Sequence, residues 1–231
     1  MREVLISTQP KWVEKEVRGE KRIEVRKSRP ELETPFKVYI YCTKDGLVIY
    51  GNGKQYVTDS LECLKGSAVE AFENSSGFRK WNGKVIGEFV CDKIDEYTAE
   101  FVNDGDCYED IRRHWIDDDG EEDFEIITSN GRDNPEDCEL LKNSCLSYAE
   151  LKKYIGENFH DIPFYGWHIS DLKIYDKPKE LSEFKKAGFM TEEEWLAGLY
   201  PNTHCHYEAW AKRFEIKRPP QSWCYVAPLP T

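Results

Sequence analysis

One short stretch of the chain concentrates residue types that bind anions and polar base edges. Gly19 is followed at short intervals by Lys21, Glu24 and Arg26. On a strand, Glu24 and Arg26 share one face because successive side chains alternate. Ammonium and guanidinium groups donate several hydrogen bonds, and a carboxylate accepts from an amino group. The spacing suits a ligand site, but it also suits a solvated strand face with cross-strand ion pairs worth less than about 1 kcal/mol each.

A helix and two strands are predicted to position this stretch. Residues 4–6 are typical of a short buried strand. Pro10 suits the first turn of a helix, which is expected to run to about Arg18 and to end at Gly19. Residues 21–27 alternate β-branched and charged side chains, the pattern of a strand with one polar face. A helix end, a glycine turn and a strand face therefore converge near Lys21.

The rest of the chain is rich in strands. Two helices are predicted to open with capping boxes at Ser147–Glu150 and Thr191–Glu194, and Gly87 is expected at a bulge or bend. Residues 103–139 are expected to form mainly a solvated excursion with short elements. Because strands and helices do not alternate strictly, the predicted class is α+β, a mixed β-barrel with flanking helices. The further predicted strands span residues 36–42, 47–50, 84–95, 97–102, 167–175 and 222–226.

The chain resembles the ASCH family, whose fold is similar to PUA RNA-binding domains. Gly19, Lys21, Glu24 and Arg26 reproduce the family signature G-x-K-x-x-E-x-R. The resemblance implies a single PUA-like domain over residues 1–231, with an acidic insertion at about 103–139 and a second insertion at about 177–217. Blocks at residues 6–30, 167–172 and 218–225 also look like bacterial and phage ASCH proteins.

What the resemblance implies is a small basic cleft beside the first helix that binds RNA or a modified nucleotide. Its predicted catalytic residues are Lys21, Glu24 and Arg26. The predicted ligand-binding residues are Ser7, Gln9, Lys11, Trp12, Gly19, Arg29, Tyr41, His168, Ser170, Gln221, Ser222 and Trp223.

Several of these predictions have simpler structural alternatives. Trp12, Tyr41 and Trp223 offer rings for stacking on a base, although aromatic residues are more often part of a core. His168 and Ser170 share a strand face that reaches the cleft only if their strand borders it. Gln221 and Ser222 suit a base edge, or they simply end a turn.

The sequence leaves open whether the cleft is catalytic. Some ASCH proteins are amidohydrolases of acetylated cytidine, and others are ribonucleases. In the amidohydrolases, a lysine corresponding to Lys21 activates a threonine at the position held here by Glu24, so that mechanism does not transfer intact. Glu24 is instead a candidate general base toward water, with Lys21 and Arg26 stabilising negative charge. Three hypotheses remain: a binding module for RNA or a nucleotide, a hydrolase acting on RNA or a modified nucleoside, and an acidic interaction protein.

Charge limits the nucleic-acid contacts that the chain can make. Its net charge is −12, which argues against a general coat for DNA or RNA, because phosphate affinity depends on lysine and arginine. Residues 1–30 carry nine Lys/Arg and five Asp/Glu, whereas residues 92–139 carry four and nineteen. This asymmetry leaves room for a local anion site but not for a long nucleic-acid track. The acidic segment is also a candidate contact for a protein partner.

Composition also bears on compartment and cofactors. Apolar runs are too short for a membrane span, and the N-terminus reads as a strand rather than a signal peptide, so a cytoplasmic protein is expected. The eight cysteines form no C-x-x-C pair, and we expect reduced thiols. The His-Cys-His segment at 204–206 has no second ligand cluster at metal-like spacing nearby. No metal or cofactor is predicted.

Overall fold

Strands dominate the chain. The computed structural model describes residues 2–44, 47–51, 54–58, 81–103, 107–130, 138–156, 159–160, 162–198 and 204–229. The described α-helices are α1 (Pro10–Val17), α2 (Glu139–Ser144), α3 (Tyr148–Ile155), α4 (Glu192–Gly198) and α5 (His204–Ala211). The strands are β1 (Glu3–Thr8), β2 (Ile23–Arg26), β3 (Phe36–Cys42), β4 (Leu47–Gly51), β5 (Lys54–Thr58), β6 (Lys84–Asn103), β7 (Cys107–Ile116), β8 (Glu122–Asn130), β9 (Phe164–Glu180) and β10 (Trp223–Val226).

Eight of these strands form one mixed sheet. Its order is β10-β1-β3-β6-β7-β8, and β9 pairs with both β2 and β6. β1 is parallel to β3 and antiparallel to β10, while β6, β7 and β8 are antiparallel neighbours. The α+β class is confirmed. The predicted barrel is wrong, because closure requires the end strands to pair with each other, and over the described residues the path is open at β10 and β8.

The contacts divide the chain into two compact units. Unit 1 comprises Met1–Glu14, Val38–Glu88 and Lys173–Thr231, and unit 2 comprises Lys15–Lys37 and Phe89–Leu172. The expectation of a single domain with two insertions stays a prediction.

Unit 1 has an apolar core in which strand residues meet the segments that follow β9. Leu5, Tyr39, Val85 and Val226 are buried there with Phe184. The ring of Tyr39 packs edge-on against that of Phe184, with centroids 5.0 Å apart. This core holds β1, β3 and β10 together.

Unit 2 has its own core between strands and two helices. Ile23 and Val25 of β2 pack with Tyr97, Ala99 and Ile111 of β6 and β7. Helices α2 and α3 cover them with Leu140, Leu141, Leu151 and Ile155, and each such buried side chain contributes about 1.5–3 kcal/mol. The predicted capping box that opens α3 is confirmed, since Ser147 and Glu150 each accept a backbone N–H of the other.

The junction between α1 and β2 is built by a glycine turn. Gly19 has a φ of +72°, a left-handed conformation that glycine adopts without strain. The amides of Glu20 and Lys21 both donate to the carbonyl of Lys15, at 2.9 and 3.1 Å. The inward residues of α1 are Val13 and Glu16, both fully buried. The turn thus brings Lys21 back toward Glu16.

Two strand predictions are wrong in the same region. Residues 84–95 and 97–102 are one continuous strand, β6, rather than two. Residues 103–139 contain two full strands, β7 and β8, where mainly a solvated excursion was expected. In both cases the charged residues that suggested a break lie within an extended backbone, whose hydrogen bonds do not depend on side-chain polarity.

Three predictions from composition concern membrane spans, cysteines and metal ligands. The structure describes only some of the residues involved. No described helix is long and apolar enough to cross a membrane. The described cysteines, at positions 42, 91, 138, 145 and 224, are all free. The side chains of residues 204–206 lie outside the described residues.

The absence of a side chain at Gly87 allows two strands of unit 1 to pack closely, and a substitution there can test this packing. A Cβ at this position would lie 2.4 Å from the carbonyl oxygen of Lys173, so the glycine permits a close approach of two strands. Gly87→Ala is expected to lower the free energy of unfolding by about 2–3 kcal/mol. Urea titration followed by circular dichroism measures it, with Asp176→Ala, at an exposed position of β9, as the control. Equal urea midpoints for Gly87→Ala and Asp176→Ala would contradict the close packing at Gly87.

Candidate functional site

The signature residues meet in a buried ionic cluster. The ammonium of Lys21 lies 3.0 Å from Oε1 of Glu16 and also contacts Oε2 of Glu24. The guanidinium of Arg26 lies 2.7 Å from Oε1 of Glu24. The side chains of these four residues are at most 7% exposed. We call Glu16, Lys21, Glu24 and Arg26 the ionic cluster.

The ionic cluster holds two acids and two bases, so its charges balance. Burial lowers the pKa of Lys21, while the charge and hydrogen bond of Glu16 oppose that change. Desolvation is therefore only partly offset by pairing. A buried amine with a lowered pKa next to carboxylates is typical of functional sites, although structural ion pairs produce it as well.

Glu16 is the member that sequence reasoning missed. It lies on α1 three residues after Val13, on the face of the helix that turns inward. A charged residue in that position on an otherwise amphipathic helix is a signal in itself, because a buried carboxylate requires a partner. Lys21, at the end of the following turn, supplies that partner.

Glu16 also has spare hydrogen-bonding capacity. Its Oε2 is buried and has no hydrogen-bond partner among the described residues. Buried carboxylate oxygens normally accept a hydrogen bond, so a buried oxygen without a partner favours a ligand that donates one. The ionic cluster therefore offers an acceptor rather than an unpaired cation.

The β2–β9 ladder separates the predicted residues onto two faces. Glu24 is opposite Trp167 and Arg26 is opposite Tyr165, whereas Ile23 is opposite His168. Residues directly opposite each other share a face, and neighbours along a strand do not. The strand of His168 borders β2, but the imidazole lies on the face away from the ionic cluster. The hydroxyl of Ser170 donates to the carbonyl of Val90 at 2.9 Å.

His168 instead forms a second polar group with Asp95. Its Nε2 lies 2.7 Å from Oδ2 of Asp95, and the ammonium of Lys93 lies 2.7 Å from Oδ1. Burial alone raises the pKa of Asp95, but the hydrogen bonds from His168 and Lys93 outweigh it and hold the pKa at about 2. Because Asp95 is ionised at neutral pH, Nε2 of His168 must carry the proton of this hydrogen bond.

A small cavity of about 70 Å³ adjoins this pair. It has room for about two water molecules. Arg113 and Glu125, which form an ion pair with each other, border it together with Glu139. Its lining is completed by Ile23, Asp95, Tyr97, Ile127, Leu140 and His168.

Other predicted ligand-binding residues lie in unit 1, at the end of β1. The hydroxyl of Ser7 donates to the carbonyl of Pro220 at 2.7 Å, and its amide donates to that of Ser222 at 3.0 Å. The ammonium of Lys11 lies 4.1 Å from the ring centroid of Trp12. These contacts bring Ser7 together with Ser222 and Lys11 together with Trp12.

The remaining predicted residues differ in exposure. Tyr41 is 4% exposed within the core of unit 1, so it presents no ring face to a ligand in this conformation. Trp223 is half-buried against Tyr225, with ring centroids 5.2 Å apart. Gln9 and Gln221 are exposed.

Arg29 is exposed and borders a broad surface depression in unit 2. Its guanidinium lies 5.8 Å from the ring centroid of Tyr165. The depression encloses about 820 Å³ and is lined by residues 29–34 and Ile94. Of the predicted residues, Arg29 is the cation of unit 2 that solvent reaches.

No group of three or more histidine, cysteine, aspartate or glutamate side chains in the described part of the chain could hold a metal ion.

Removing Lys21 is expected to destabilise the protein strongly. Lys21→Met leaves Glu16 and Glu24 buried with one fewer cation, which typically costs about 3–5 kcal/mol. The double variant Lys21→Met/Glu16→Gln should lose less than the sum of the single losses, because the two residues are coupled. Denaturant unfolding measures each free energy.

The matched control for Lys21 is a more exposed ion pair between α1 and the turn that follows it. Lys15 lies 3.8 Å from Glu20, with side chains 39% and 48% exposed. Lys15→Met should change the free energy of unfolding by less than about 1 kcal/mol. Equal losses for the two lysine variants would show that the ionic cluster is not a stabilising unit.

Asp95 is expected to make stability depend on acid pH. Its folded pKa of about 2 lies below the ordinary value of 3.8, so its contribution is present above about pH 4 and is lost as the pH falls toward 2. The shift corresponds to roughly 2 kcal/mol. Asp95→Asn should therefore destabilise the protein at neutral pH, and the difference from the parent should shrink as the pH falls from 4 to 2. Asp92→Asn, on the exposed side of the same strand, should show neither effect, and a pH-independent loss in Asp95→Asn would contradict the assignment.

The chain is similar to solved structures of ASCH proteins. No protein-family model matches the chain, and no curated protein matches it. It is similar to the crystal structure of ASCH from Zymomonas mobilis, with 12% identity and a TM-score of 0.44 over 97% of this chain and 87% of that chain. It is also similar to a single-residue variant of that protein, with 12% identity and a TM-score of 0.42 over 97% and 90% of the two chains. Both are ASCH structures, the family that the signature resembles. Because both TM-scores lie below 0.5, this likeness carries no argument, and the function is inferred from the residues of this chain.

Proposed function

We propose that this chain binds a nucleoside, free or within RNA, at the ionic cluster. The observation that carries the proposal is the meeting of the signature residues Lys21, Glu24 and Arg26 with Glu16 at the end of α1. The resemblance to ASCH proteins supports a nucleoside or RNA as the ligand class.

The hydrogen-bonding balance of the ionic cluster favours a base over a phosphate. Lys21 and Arg26 already contact carboxylates, so a phosphate would have to displace an internal partner. Oε2 of Glu16 is instead an unused acceptor among the described residues. Cytosine and adenine carry exocyclic amino groups that donate hydrogen bonds, whereas uracil has a carbonyl at the corresponding position. The site therefore suits an amino-bearing base.

The surroundings in unit 2 are basic enough to attract a nucleotide. Residues 15–37 carry eight Lys/Arg and five Asp/Glu. Arg22 and Arg29 are exposed there, and exposed guanidinium groups suit phosphate contacts. A phosphate attached to the bound nucleoside would meet this rim rather than the buried cluster.

Ligand contact requires a local opening of the cluster. Lys21 is 4% exposed and Glu16 is fully buried. The turn at residues 18–20 is exposed on its surface side, and Gly19 gives that turn its left-handed backbone. Binding then selects an opened turn, and the stability of the closed cluster sets the free energy that the ligand must overcome.

Hydrolysis of a nucleoside or RNA is the second candidate function. The observation that favours it is the lowered pKa of Lys21 in contact with Glu24. The carboxylate of Glu24 can accept the proton of an attacking water, and Lys21 and Arg26 can stabilise the anion that forms. Glu24 replaces the threonine nucleophile of the amidohydrolases, so water is the nucleophile in this version.

Base selectivity tests the binding proposal. Calorimetric titration of the parent should show cytidine or adenosine binding at least about tenfold more tightly than uridine, because a missing donor leaves Glu16 unsatisfied. Glu16→Gln should reduce this selectivity, since a side-chain amide both donates and accepts. Absence of binding by all three nucleosides and by a mixed RNA oligomer would overturn the proposal.

Two exposed arginines provide a matched pair of variants for the same titrations. Arg29→Ala should weaken nucleoside monophosphates while leaving nucleosides unchanged, whereas Arg22→Ala should have the smaller effect because Arg29, unlike Arg22, lines the surface depression. Chromatography of the reaction mixtures, with end-labelled RNA and acetylated cytidine as substrates, separates binding from hydrolysis. New products that disappear in Glu24→Gln, under conditions in which thermal unfolding shows that variant to be folded, favour the hydrolase, and products that persist unchanged in Lys21→Met and Glu24→Gln exclude these residues as catalysts.

A further inference from the structure

The β6–β7–β8 part of unit 2 has one face in the core and one face in solvent. Tyr97, Ala99 and Ile111 turn into the core. Arg112 is opposite Ile126, and His114 is opposite Phe124. Because side chains alternate along a strand, these two pairs lie on the solvent side, with Ile116 two residues beyond His114. We call Ile116, Phe124 and Ile126 the apolar stripe.

The three side chains of the apolar stripe are all exposed to solvent. Ile116 is 67% exposed, Phe124 45% and Ile126 52%. The guanidinium of Arg112 lies 4.6 Å from the centroid of the Phe124 ring, and His114 packs beside the same ring at 5.9 Å. Clustered exposed apolar side chains mark interaction surfaces, whereas single ones are ordinary.

The basic groups on this face are already paired within the chain. Arg112 lies 2.6 Å from a carboxylate oxygen of Glu100. His114 lies 2.7 Å from the hydroxyl of Thr98 and 3.2 Å from a carboxylate oxygen of Glu122. The face therefore presents apolar and acidic groups to a partner.

The connection between β7 and β8 is strongly acidic. Residues 115–125 carry seven Asp/Glu and no Lys/Arg. Asp117 uses one oxygen to accept the amides of Asp119 and Glu121, which fixes the turn. Asp118, Asp119, Glu121, Glu122 and Asp123 are exposed.

β8 is also the end of the strand path. Within the described ranges it pairs with β7 and with no second strand. An edge strand presents unpaired amides and carbonyls that another extended chain can join. The exposed carboxylates would repel a second acidic edge and attract a basic one.

We propose that a basic, extended protein segment, in which lysine or arginine alternates with apolar residues, docks on the β8 edge and covers the apolar stripe. Its apolar side chains contact Ile116, Phe124 and Ile126, and its cations meet the carboxylates of residues 117–123. RNA is disfavoured at this surface because both partners would be anionic. A symmetric second copy is disfavoured because two β8 edges with the same exposed carboxylates repel each other. The inference does not depend on the nucleoside site.

Three peptides of about eight residues, the length of an ordinary strand, test this surface with the full chain. One alternates lysine and valine, one alternates glutamate and valine, and one, called the lysine peptide, alternates lysine and serine. Fluorescence anisotropy should detect binding of the lysine–valine peptide, which weakens with added salt. The glutamate–valine peptide should not bind, and the lysine peptide should bind at least about tenfold more weakly because it lacks apolar groups.

The double variant Phe124→Ser/Ile126→Ser should weaken the lysine–valine peptide by at least about tenfold and leave the lysine peptide unchanged. Ile162→Ser is the matched control, because Ile162 is another exposed apolar residue of unit 2, at 36% exposure. Thermal unfolding checks that the variants fold. Asp118→Lys/Asp119→Lys provides an independent readout at exposed turn positions, and it should weaken the lysine–valine peptide at low salt.

Several outcomes would overturn the proposal. Equal binding of the lysine and lysine–valine peptides would show that the surface attracts peptides through nonspecific charge alone. Unchanged binding in Phe124→Ser/Ile126→Ser would place the peptide elsewhere. Sedimentation that shows dimers of the parent and monomers of that variant would identify a second copy as the occupant, and direct binding of a labelled RNA oligomer to the parent that is lost in that variant would identify a nucleic-acid surface.

Discussion

Burial of Lys21 between two carboxylates is the constraint on which the α1–β2 region depends. Removing an ion from water costs several kcal/mol, and only close pairing offsets that cost. The geometry provides it, since Glu16 and Glu24 both contact the ammonium and Arg26 contacts Glu24. Gly19 allows the chain to reverse within a few residues, so that a lysine just after the helix returns to a glutamate within it. The spacing of the signature residues is thus required for the fold of this region as well as for any ligand site built on it.

The same pairing explains why the signature is a poor site for a free anion and a better one for a hydrogen-bond donor. Each cation has an internal carboxylate, and the balanced cluster has little net field. The second oxygen of Glu16 is one atom of the cluster that has no hydrogen-bond partner in the described part of the chain. An unsatisfied buried acceptor destabilises the closed state. A ligand that supplies the missing donor recovers that free energy, which couples ligand binding to the stability of the turn.

The sequence predicts the local elements well where one pattern acts alone. α1, β3 and the capped α3 follow from Pro10, from the run of aromatic and β-branched residues at 36–42, and from Ser147 with Glu150. It fails where burial contradicts residue type. The charge of Asp95 predicts the end of a strand, yet Asp95 is buried in the middle of β6, because Lys93 and His168 satisfy its carboxylate. Glu16 was overlooked for the same reason. The separation of His168 from Glu24 was not predictable, because it depends on the β2–β9 register, which no local pattern specifies.

The two charge regions of unit 2 imply two kinds of partner. Residues 15–37 carry an excess of cations, and residues 115–125 carry carboxylates alone. An anionic ligand is drawn to the first region and repelled by the second, while a basic segment shows the opposite preference. Exposed apolar side chains on an edge strand would ordinarily promote association of identical chains. The carboxylates beside the apolar stripe oppose that association, and they leave the edge available to a partner of opposite charge.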